Sequence, residues 1–279
     1  MFKKALKIII GLFAVAYLGF CLAVYYFPSR FFYNPSPLKA DLSNVDVTAF
    51  PASEVHYRSA DGTELYGWYV KPGIKQKIIV YFHGNAYNIG AFYHKMVPLV
   101  KAGYGAFIGE YRGFGGIEGE LRQDNLGADA IAAVDYLHSL GYQNKNLIIY
   151  GMSLGSYLAV NTVEQLGNDE SFAGLILEVP FDSLLEVVRQ RIMPVFPFSW
   201  IVRDAYDNKE KITRINIPVL VMGGEADKVV PVERARQLFS AANEPKKLIV
   251  YPQAGHSELY DYHNWHDILD WLEQNEKTK

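Results

Sequence analysis

A serine stands at the centre of a Gly-x-Ser-x-Gly pattern, residues 151 to 155, directly after a short apolar run. Ser153 lies where a predicted strand ends and a predicted helix begins, the context in which a sharp turn exposes a nucleophilic hydroxyl. The two glycines are required for steric reasons, because a side chain at either position would collide with neighbouring backbone. The pattern therefore predicts that Ser153 is a nucleophile for acyl transfer.

A serine nucleophile needs a base, and the base needs an orienting acid. Of the seven histidines, His256 alone follows the last predicted strand in a glycine-containing loop, from which an imidazole can reach the strand ends. The acid is expected just after the preceding strand, where the sequence is Gly-Gly-Glu-Ala-Asp over residues 223–227. Asp227 is favoured because the chain beyond it leads toward a helix and leaves it in the connecting loop. Glu225 is the alternative acid, with Asp227 then serving as a helix cap.

The elements that must position these side chains alternate short β-branched runs with longer amphipathic stretches, the pattern of an α/β domain. An antiparallel edge hairpin is predicted over residues 54–58 and 65–70. Almost continuously apolar runs predict buried, mostly parallel strands at residues 78–82, 106–110, 147–150, 175–178, 219–222 and 248–251. Helices are predicted near residues 88–102, 123–140, 154–166, 232–242 and 264–274. In such a sheet, ligand chemistry lies at the carboxyl ends of the strands.

Two further stretches link the chain to a known superfamily. One predicted strand runs into His-Gly-Asn-Ala at residues 83–86, and the next runs into Glu-Tyr-Arg-Gly-Phe-Gly at residues 110–115. With the chain order Ser153, Asp227, His256, these motifs resemble the α/β-hydrolase superfamily. The resemblance is to membrane-anchored serine hydrolases of the serine aminopeptidase or monoacylglycerol-lipase-like branch. It implies an α/β-hydrolase fold: a mostly parallel sheet with helices on both faces and a small cap insertion.

The same resemblance implies an oxyanion hole made by two backbone amides. One belongs to Leu154, which follows the nucleophile, and the other to Asn85, which follows His83 and Gly84. His83 is then a structural residue that fixes this loop. Tyr87 stands where family members often have a small residue, which would narrow the site.

Other polar residues near the predicted site have a structural and a functional interpretation. Arg112 would support its turn or contact substrate, and Glu178 would be a buried, hydrogen-bonded support or an acid. His263 and His266 lie three apart on the last predicted helix and could bind a metal, but their amphipathic context favours a solvated helix face. The sequence has no dinucleotide-binding, phosphate-binding or metalloprotease motif. We therefore expect no metal and no cofactor.

The N-terminal segment has the features of a membrane anchor. Three lysines among the first seven residues precede an uncharged run over residues 8–27, which as a helix is about 30 Å long and can span a bilayer. Aromatic residues 25–27 close the run, as at a membrane interface. We expect residues 1–28 to be an uncleaved signal anchor, with a cleaved signal peptide or a buried core helix as alternatives. The positive-inside bias predicts that the rest of the chain lies on the non-cytoplasmic side, at a periplasmic or other extracytoplasmic face.

The chain beyond the anchor divides into two predicted parts. Residues 29–49 contain several prolines and form a juxtamembrane connector, with Arg30 and the aromatic residues 31–33 at interface depth. Residues 50–279 form one catalytic domain. Within it, residues 181–208 are apolar yet interrupted by prolines, which predicts a small cap. The cap is either a helix pair packed on the sheet edge, or an acyl-pocket lining or a surface in contact with the bilayer.

Composition limits the remaining possibilities. The chain has 279 residues, half of them apolar, and a net charge of −3, so it can bury a core and is not a disordered chain. It lacks a basic run outside the N-terminus, so we expect no nucleic-acid partner. Cys21 is the single cysteine, which excludes an internal disulfide and a cysteine-rich zinc site.

Together these features predict a membrane-anchored serine hydrolase that cleaves carboxylic esters or related acyl bonds through an acyl-enzyme. Its substrate would be a lipid or a small acyl compound. A serine peptidase or a thioesterase would use the same triad, and an acyltransferase would pass the acyl group to an alcohol. A non-catalytic binding protein with a hydrolase fold is the alternative from another class. The sequence does not indicate an oligomeric state.

Overall fold

The computed structural model of the protein describes residues 2–167, 171–191 and 197–277. The strands are β1 (Asn34–Pro35), β2 (Ser53–Arg58), β3 (Glu64–Val70), β4 (Ile78–Phe82), β5 (Ala86–Tyr87), β6 (Gly105–Gly109), β7 (Leu147–Met152), β8 (Gly174–Glu178), β9 (Val219–Gly224) and β10 (Lys246–Tyr251). The helices are α1 (Phe2–Tyr26), α2 (Ser29–Phe32), α3 (Val97–Lys101), α4 (Gln123–Ser139), α5 (Leu154–Leu166), α6 (Leu184–Arg191), α7 (Phe198–Ile201), α8 (Asn208–Ile212), α9 (Val232–Ala241) and α10 (Asn264–Lys277).

An eight-stranded sheet organises the body, in the order β10-β9-β8-β7-β4-β6-β3-β2. The strands from β10 to β6 are parallel, whereas β3 is antiparallel to both β6 and β2. The predicted edge hairpin and the six predicted parallel strands are therefore confirmed, each to within two residues of its predicted ends. Strand β7, which leads to the candidate Ser153, lies between β8 and β4, so this serine lies near the middle of the sheet.

Side chains of the central strands alternate between two cores, because successive residues of a strand point to opposite faces. In β4, Ile78, Val80 and Phe82 face one core and Ile79 and Tyr81 face the other, all of them fully buried. The first core is covered by α4, α5 and α9, and the second by α3 and α10. Both faces of the sheet are thus buried, which explains the almost continuous apolar runs in the sequence.

The helix predicted near residues 88–102 is not continuous. The segment instead forms two 3₁₀ turns, Ile89–Ala91 and Tyr93–Lys95, followed by the short helix α3. Pro98 lies in the first turn of α3, where its missing N–H is tolerated, and it would interrupt a helix begun ten residues earlier. The Asn88 side chain accepts a hydrogen bond from the backbone two residues on and starts the first 3₁₀ turn.

The predicted connector packs on the body. Strand β1 pairs in parallel with β5, the short strand just beyond β4. The Ala40 N–H donates to the hydroxyl of Tyr66 over 3.1 Å. Phe50 is fully buried, with its ring centroid 5.6 Å from that of Tyr93. The domain boundary at residue 50 stays a prediction, but residues on both sides of it contribute to one core.

Helix α1 has the length and composition to cross a membrane, and most of its apolar surface is exposed. These properties fit a membrane anchor or a signal sequence. Its C-terminal part, however, contacts the body: Cys21 and Val24 are buried in an apolar cluster with Val188, Ile201 and Val202. These partners lie on α6, on α7 and just after it. Part of the predicted cap, residues 192–196, lies outside the described residues.

A buried ion pair lies at the end of β8, next to the strand that leads to the candidate nucleophile. The Lys95 ammonium is 2.7 Å from a carboxylate oxygen of Glu178, and the side chains are 5% and 0% exposed. The Tyr150 hydroxyl donates to the other carboxylate oxygen. The backbone oxygen of Glu178 accepts from the Ser153 N–H over 2.9 Å. The interpretation of Glu178 as a buried support is therefore confirmed.

Replacing one partner of this pair should destabilise the protein strongly, because an uncompensated buried charge is left behind. For Lys95→Met we expect a loss of about 3 to 5 kcal/mol in the free energy of unfolding, measured by denaturant titration. Lys101→Met, at an exposed position, is the control and should change it by less than about 0.5 kcal/mol. The double variant Lys95→Met/Glu178→Gln should recover part of the loss. Equal free energies of unfolding for Lys95→Met and Lys101→Met would contradict this account.

Candidate active site

The turn between β7 and α5 holds Ser153 in a strained conformation, with φ 52° and ψ −116°. Such a backbone persists only where the surrounding structure enforces it. A Cβ added at Gly155 would lie 2.0 Å from the carbonyl oxygen of Phe82, and one added at Gly151 would lie 2.2 Å from the oxygen of Gly155. The steric requirement predicted for both glycines is therefore confirmed. The end of β4, the turn and the start of α5 lie so close together that neither glycine position could hold a side chain.

Three of the predicted residues form a chain of hydrogen bonds at the carboxyl ends of β7, β9 and β10. His256 Nε2 is 2.9 Å from Ser153 Oγ, and His256 Nδ1 is 2.7 Å from Asp227 Oδ2. A carboxylate only accepts, so Nδ1–H donates to Asp227 and Nε2 accepts from the serine hydroxyl. The other oxygen of Asp227 accepts from the N–H groups of Val229 and Val230, at 2.7 and 2.8 Å. These bonds fix the carboxylate toward the imidazole.

The alternative acid lies outside this arrangement. The Glu225 side chain is half exposed and pairs with Arg236 over 2.9 Å. The Asp227 side chain is 1% exposed. The structure therefore brings Asp227, and not Glu225, to the histidine.

The two residues predicted to supply oxyanion donors both line the cavity at Ser153. Leu154 is the first residue of α5, where the backbone N–H has no partner within the helix. Asn85 follows Gly84, whose added Cβ would lie 3.6 Å from the Cβ of Ser153, so this loop passes directly over the serine. The Asn85 side chain donates to the Phe32 carbonyl over 2.7 Å and so fastens the loop to α2.

His83 is fully buried beneath this loop, and both its ring nitrogens have partners. Nε2 lies 2.9 Å from Glu110 Oε1, and Nδ1 lies 2.8 Å from the Gly84 carbonyl. Its ring stacks on Tyr111 with a centroid distance of 4.3 Å. These contacts fit the structural role expected for His83 and keep it away from Ser153.

The remaining sequence candidates lie away from the cavity. The Arg112 guanidinium bonds to the buried Asp129 and to Asp61, and it holds the pKa of the Asp61 carboxyl well below its ordinary range. Arg112 therefore joins the β2–β3 turn to α4, which is a structural role. His263 and His266 lie at the start of α10 with their ring centroids 6.3 Å apart.

An apolar cavity of about 360 Å³ opens onto Ser153. That volume is at the lower end of the range for small-molecule sites. Its walls come from five regions of the chain: α2 with the residue after it, the loop after β4, the turn between β7 and α5, the cap, and the loop carrying Asp227. The lining residues are Phe31, Phe32, Tyr33, Asn85, Ser153, Leu154, Phe181, Leu184, Val187, Val188, Val229 and Val230.

Comparison with known proteins identifies the family. Residues 91–278, more than half of the chain, match the model of the prolyl oligopeptidase family. The chain belongs to that family. Residues 34–134 also match the acetyl xylan esterase family. The predicted α/β-hydrolase superfamily is thereby confirmed, and the chain is a serine hydrolase of this superfamily.

Curated relatives and a solved structure are similar to the chain over most of its length. The chain is 28% identical to the uncharacterized protein YfhR of Escherichia coli O157:H7, over 92% of this chain and 89% of that protein. It is 32% identical to the uncharacterized protein Rv2307c of Mycobacterium tuberculosis H37Rv, over 84% of this chain and 79% of that protein. The structure of the Pyrococcus furiosus esterase Pf2001 superposes with a TM-score of 0.69 at 18% identity, covering 87% of this chain and 97% of the other. The predicted α/β-hydrolase fold is thus confirmed.

Part of the cavity wall was expected from the sequence. An acyl-pocket lining was one of the two roles predicted for the cap, and cap residues Phe181, Leu184, Val187 and Val188 line the cavity. The aromatic residues 31–33 were expected at interface depth, and the structure places all three against the cavity of Ser153. Val229 and Val230, which follow the candidate acid, were also not expected there. The sequence offered little indication of this placement. The aromatic residues 31–33 follow a helix long enough to span a membrane, and nothing in their spacing places them near residue 153.

The elbow glycine offers a direct test of this geometry. Gly155→Ala places a methyl group against the Phe82 carbonyl and should lower the free energy of unfolding by about 3 kcal/mol or more. It should also abolish labelling of Ser153 by a fluorophosphonate probe. Gly19→Ala, where nothing lies within 4 Å of the added Cβ, is the control and should label normally. Normal labelling of folded Gly155→Ala would show that the elbow tolerates a side chain.

Proposed function

We propose that the protein is a membrane-anchored carboxylic ester hydrolase that acts through an acyl-enzyme on Ser153. One observation carries the proposal: the hydrogen-bonded chain Ser153, His256, Asp227 lies at the wall of an apolar cavity. The nucleophile and base are within hydrogen-bond distance, and the base is oriented by an acid, as nucleophilic acyl transfer requires.

The geometry supports a two-step reaction. The Ser153 oxygen attacks the ester carbonyl while its proton passes to His256 Nε2, and the imidazolium is stabilised by Asp227. The tetrahedral oxyanion is stabilised by the backbone N–H groups of Leu154 and Asn85. His256 returns the proton to the departing alcohol, which leaves an acyl-enzyme. Water, deprotonated by the same imidazole, then attacks the acyl-enzyme and releases the acid.

The lining of the cavity favours a neutral acyl group. The described residues that line it include no carboxylate, so a substrate ammonium, as in an aminoacyl group, would be buried without a counter-charge. The match to the acetyl xylan esterase family and the likeness to the Pf2001 esterase are consistent with ester substrates. The prolyl oligopeptidase match keeps peptide cleavage as the second candidate.

We further propose that α1 is retained as an uncleaved anchor, with the body on the non-cytoplasmic side. The packing of Cys21 and Val24 on the cap supports retention, since cleavage would expose the apolar surfaces of α6 and α7. The aromatic residues that close α1 suit a membrane interface. The relationship to the serine aminopeptidase or monoacylglycerol-lipase-like branch also stays a proposal.

The triad assignment predicts the behaviour of three variants. Ser153→Ala and His256→Ala should lose fluorophosphonate labelling, and each should lower kcat for p-nitrophenyl butyrate by about 10⁶-fold. Asp227→Asn should lower it by about 10⁴-fold, because the imidazole loses its correct tautomer. Ser257→Ala and His263→Ala, at exposed positions, are the controls and should stay within twofold of wild type. Unlabelled, inactive but folded wild type would instead favour a non-catalytic binding protein.

The chemical class of substrate can be tested on the same preparation. Because each methylene buried in an apolar site contributes about 0.8 kcal/mol, kcat/KM should rise about fourfold per methylene until the cavity is full. A series of p-nitrophenyl esters from acetate to decanoate measures this slope. Aminoacyl p-nitroanilides, whose free ammonium would lack a counter-charge in the cavity, should be cleaved at least about 10²-fold more slowly than the best ester. The reverse preference would favour a peptidase.

A further inference from the structure

The active-site cavity and the docked end of α1 share one wall. Phe32, Leu184 and Val188 each line the cavity. The same three side chains also pack in the apolar cluster that buries Cys21 and Val24 of α1. We call Phe32, Leu184 and Val188 the shared wall. Any displacement of α1 from the cap would therefore move residues that bound the cavity.

The shared wall is also fastened to the loop over the nucleophile. The Phe32 carbonyl accepts a hydrogen bond from the Asn85 side chain over 2.7 Å, and the Asn34 N–H donates to the Asn85 carbonyl over 2.8 Å. The Tyr33 hydroxyl bonds to that of Tyr206, at the C-terminal side of the cap. Residues 32–34 are thus hydrogen-bonded to the loop after β4 on one side of the cavity and to the end of the cap on the other.

Chain length keeps the cavity close to the end of α1. The helix ends at Tyr26, and Phe32 follows six residues later. A fully extended chain covers at most about 3.5 Å per residue, so the shared wall lies within about 20 Å of that end. Residues 29–32 of this stretch are helical in α2, which shortens the distance further.

The surface around this end has the composition of a bilayer interface. Phe27, Phe31 and Trp200 are 57%, 47% and 82% exposed. The Arg30 guanidinium lies over the Phe27 ring, 5.8 Å from its centroid, and Arg203 lies 5.5 Å from the centroid of another aromatic ring at the end of α1. Exposed aromatic rings and cations together are typical of the lipid headgroup region.

We infer that the substrate is an acyl lipid of the bilayer, whose chain enters the cavity from the membrane and lies against the shared wall. Docking of α1 then sets the acyl length that the cavity accepts. The inference rests on the proposed ester hydrolase function. It goes further by making the anchor a part of the substrate site and not only a tether.

The first test uses the full-length protein in phosphatidylcholine vesicles and the ratio of kcat/KM for p-nitrophenyl decanoate to that for the butyrate. Val188→Phe fills the cavity at the shared wall and should lower the ratio at least about tenfold. Val24→Ser lies outside the cavity but loosens the docked helix, and it should lower the ratio about fivefold. The matched control Leu22→Ser, at an exposed position on the same helix, should stay within twofold of wild type.

The second test examines entry from the membrane and does not depend on a cavity variant. Vesicles of brominated phosphatidylcholine should quench the tryptophan fluorescence of wild type more than that of Trp200→Phe, because the exposed Trp200 side chain would contact lipid. Equal quenching of the two proteins would overturn entry from the bilayer and favour a water-soluble acyl substrate.

Fluorophosphonate labelling of every variant separates the possible failures. If wild type is labelled and hydrolyses esters through Ser153, but Val188→Phe and Val24→Ser keep the wild-type ratio, the shared-wall inference is wrong and the proposed function stands. If Ser153→Ala retains full activity, the proposed function itself is wrong. A fall in the ratio for Val24→Ser without one for Leu22→Ser supports coupling of the docked helix to the acyl site.

Discussion

The close approach of β4, β7 and α5 at the nucleophile turn is the constraint on which the rest of the site depends. Ser153 adopts a positive φ only because its neighbours leave no alternative, and Gly155 lies against the Phe82 carbonyl with no space for a methyl group. A strained residue of this kind costs about 1 to 3 kcal/mol, which the surrounding packing must offset. The sheet supplies that packing, since the strands on either side of the turn are fully buried.

Buried polar contacts stabilise the ends of the strands around this turn. The Lys95–Glu178 pair lies where β8 ends, and the backbone oxygen of Glu178 accepts from the Ser153 N–H. On the other side of the turn, His83 and Glu110 fix the loop that carries Asn85. Each ionisable group in these pairs is buried and each has a hydrogen-bonded partner, as a low-dielectric interior requires. The site is therefore rigid before any substrate arrives, which is the condition for oxyanion stabilisation.

The apolar half of the site has a different origin. Its walls come largely from two short helices, α2 and α6, and from the loop after Asp227. These segments meet because the connector pairs with the β4 loop and because the end of α1 packs on the cap. The sheet positions the hydrogen-bonded residues, and the contacts near α1 shape the apolar cavity beside them.

The sequence by itself determined the strands of the sheet and identified the polar residues that meet at its carboxyl edge. Alternating apolar runs and amphipathic stretches predicted the strands to within two residues, because a buried strand and an amphipathic helix each impose a local period. The elbow glycines, His256 and Asp227 were recognisable because turn sterics and strand ends act over a few residues. Only the tertiary structure showed that Asp227, and not Glu225, lies beside His256. It also divided residues 88–102 into short turns and brought Phe32 and Val188 to one wall. Those outcomes depend on contacts between segments far apart in the chain, and no local period or propensity encodes such contacts.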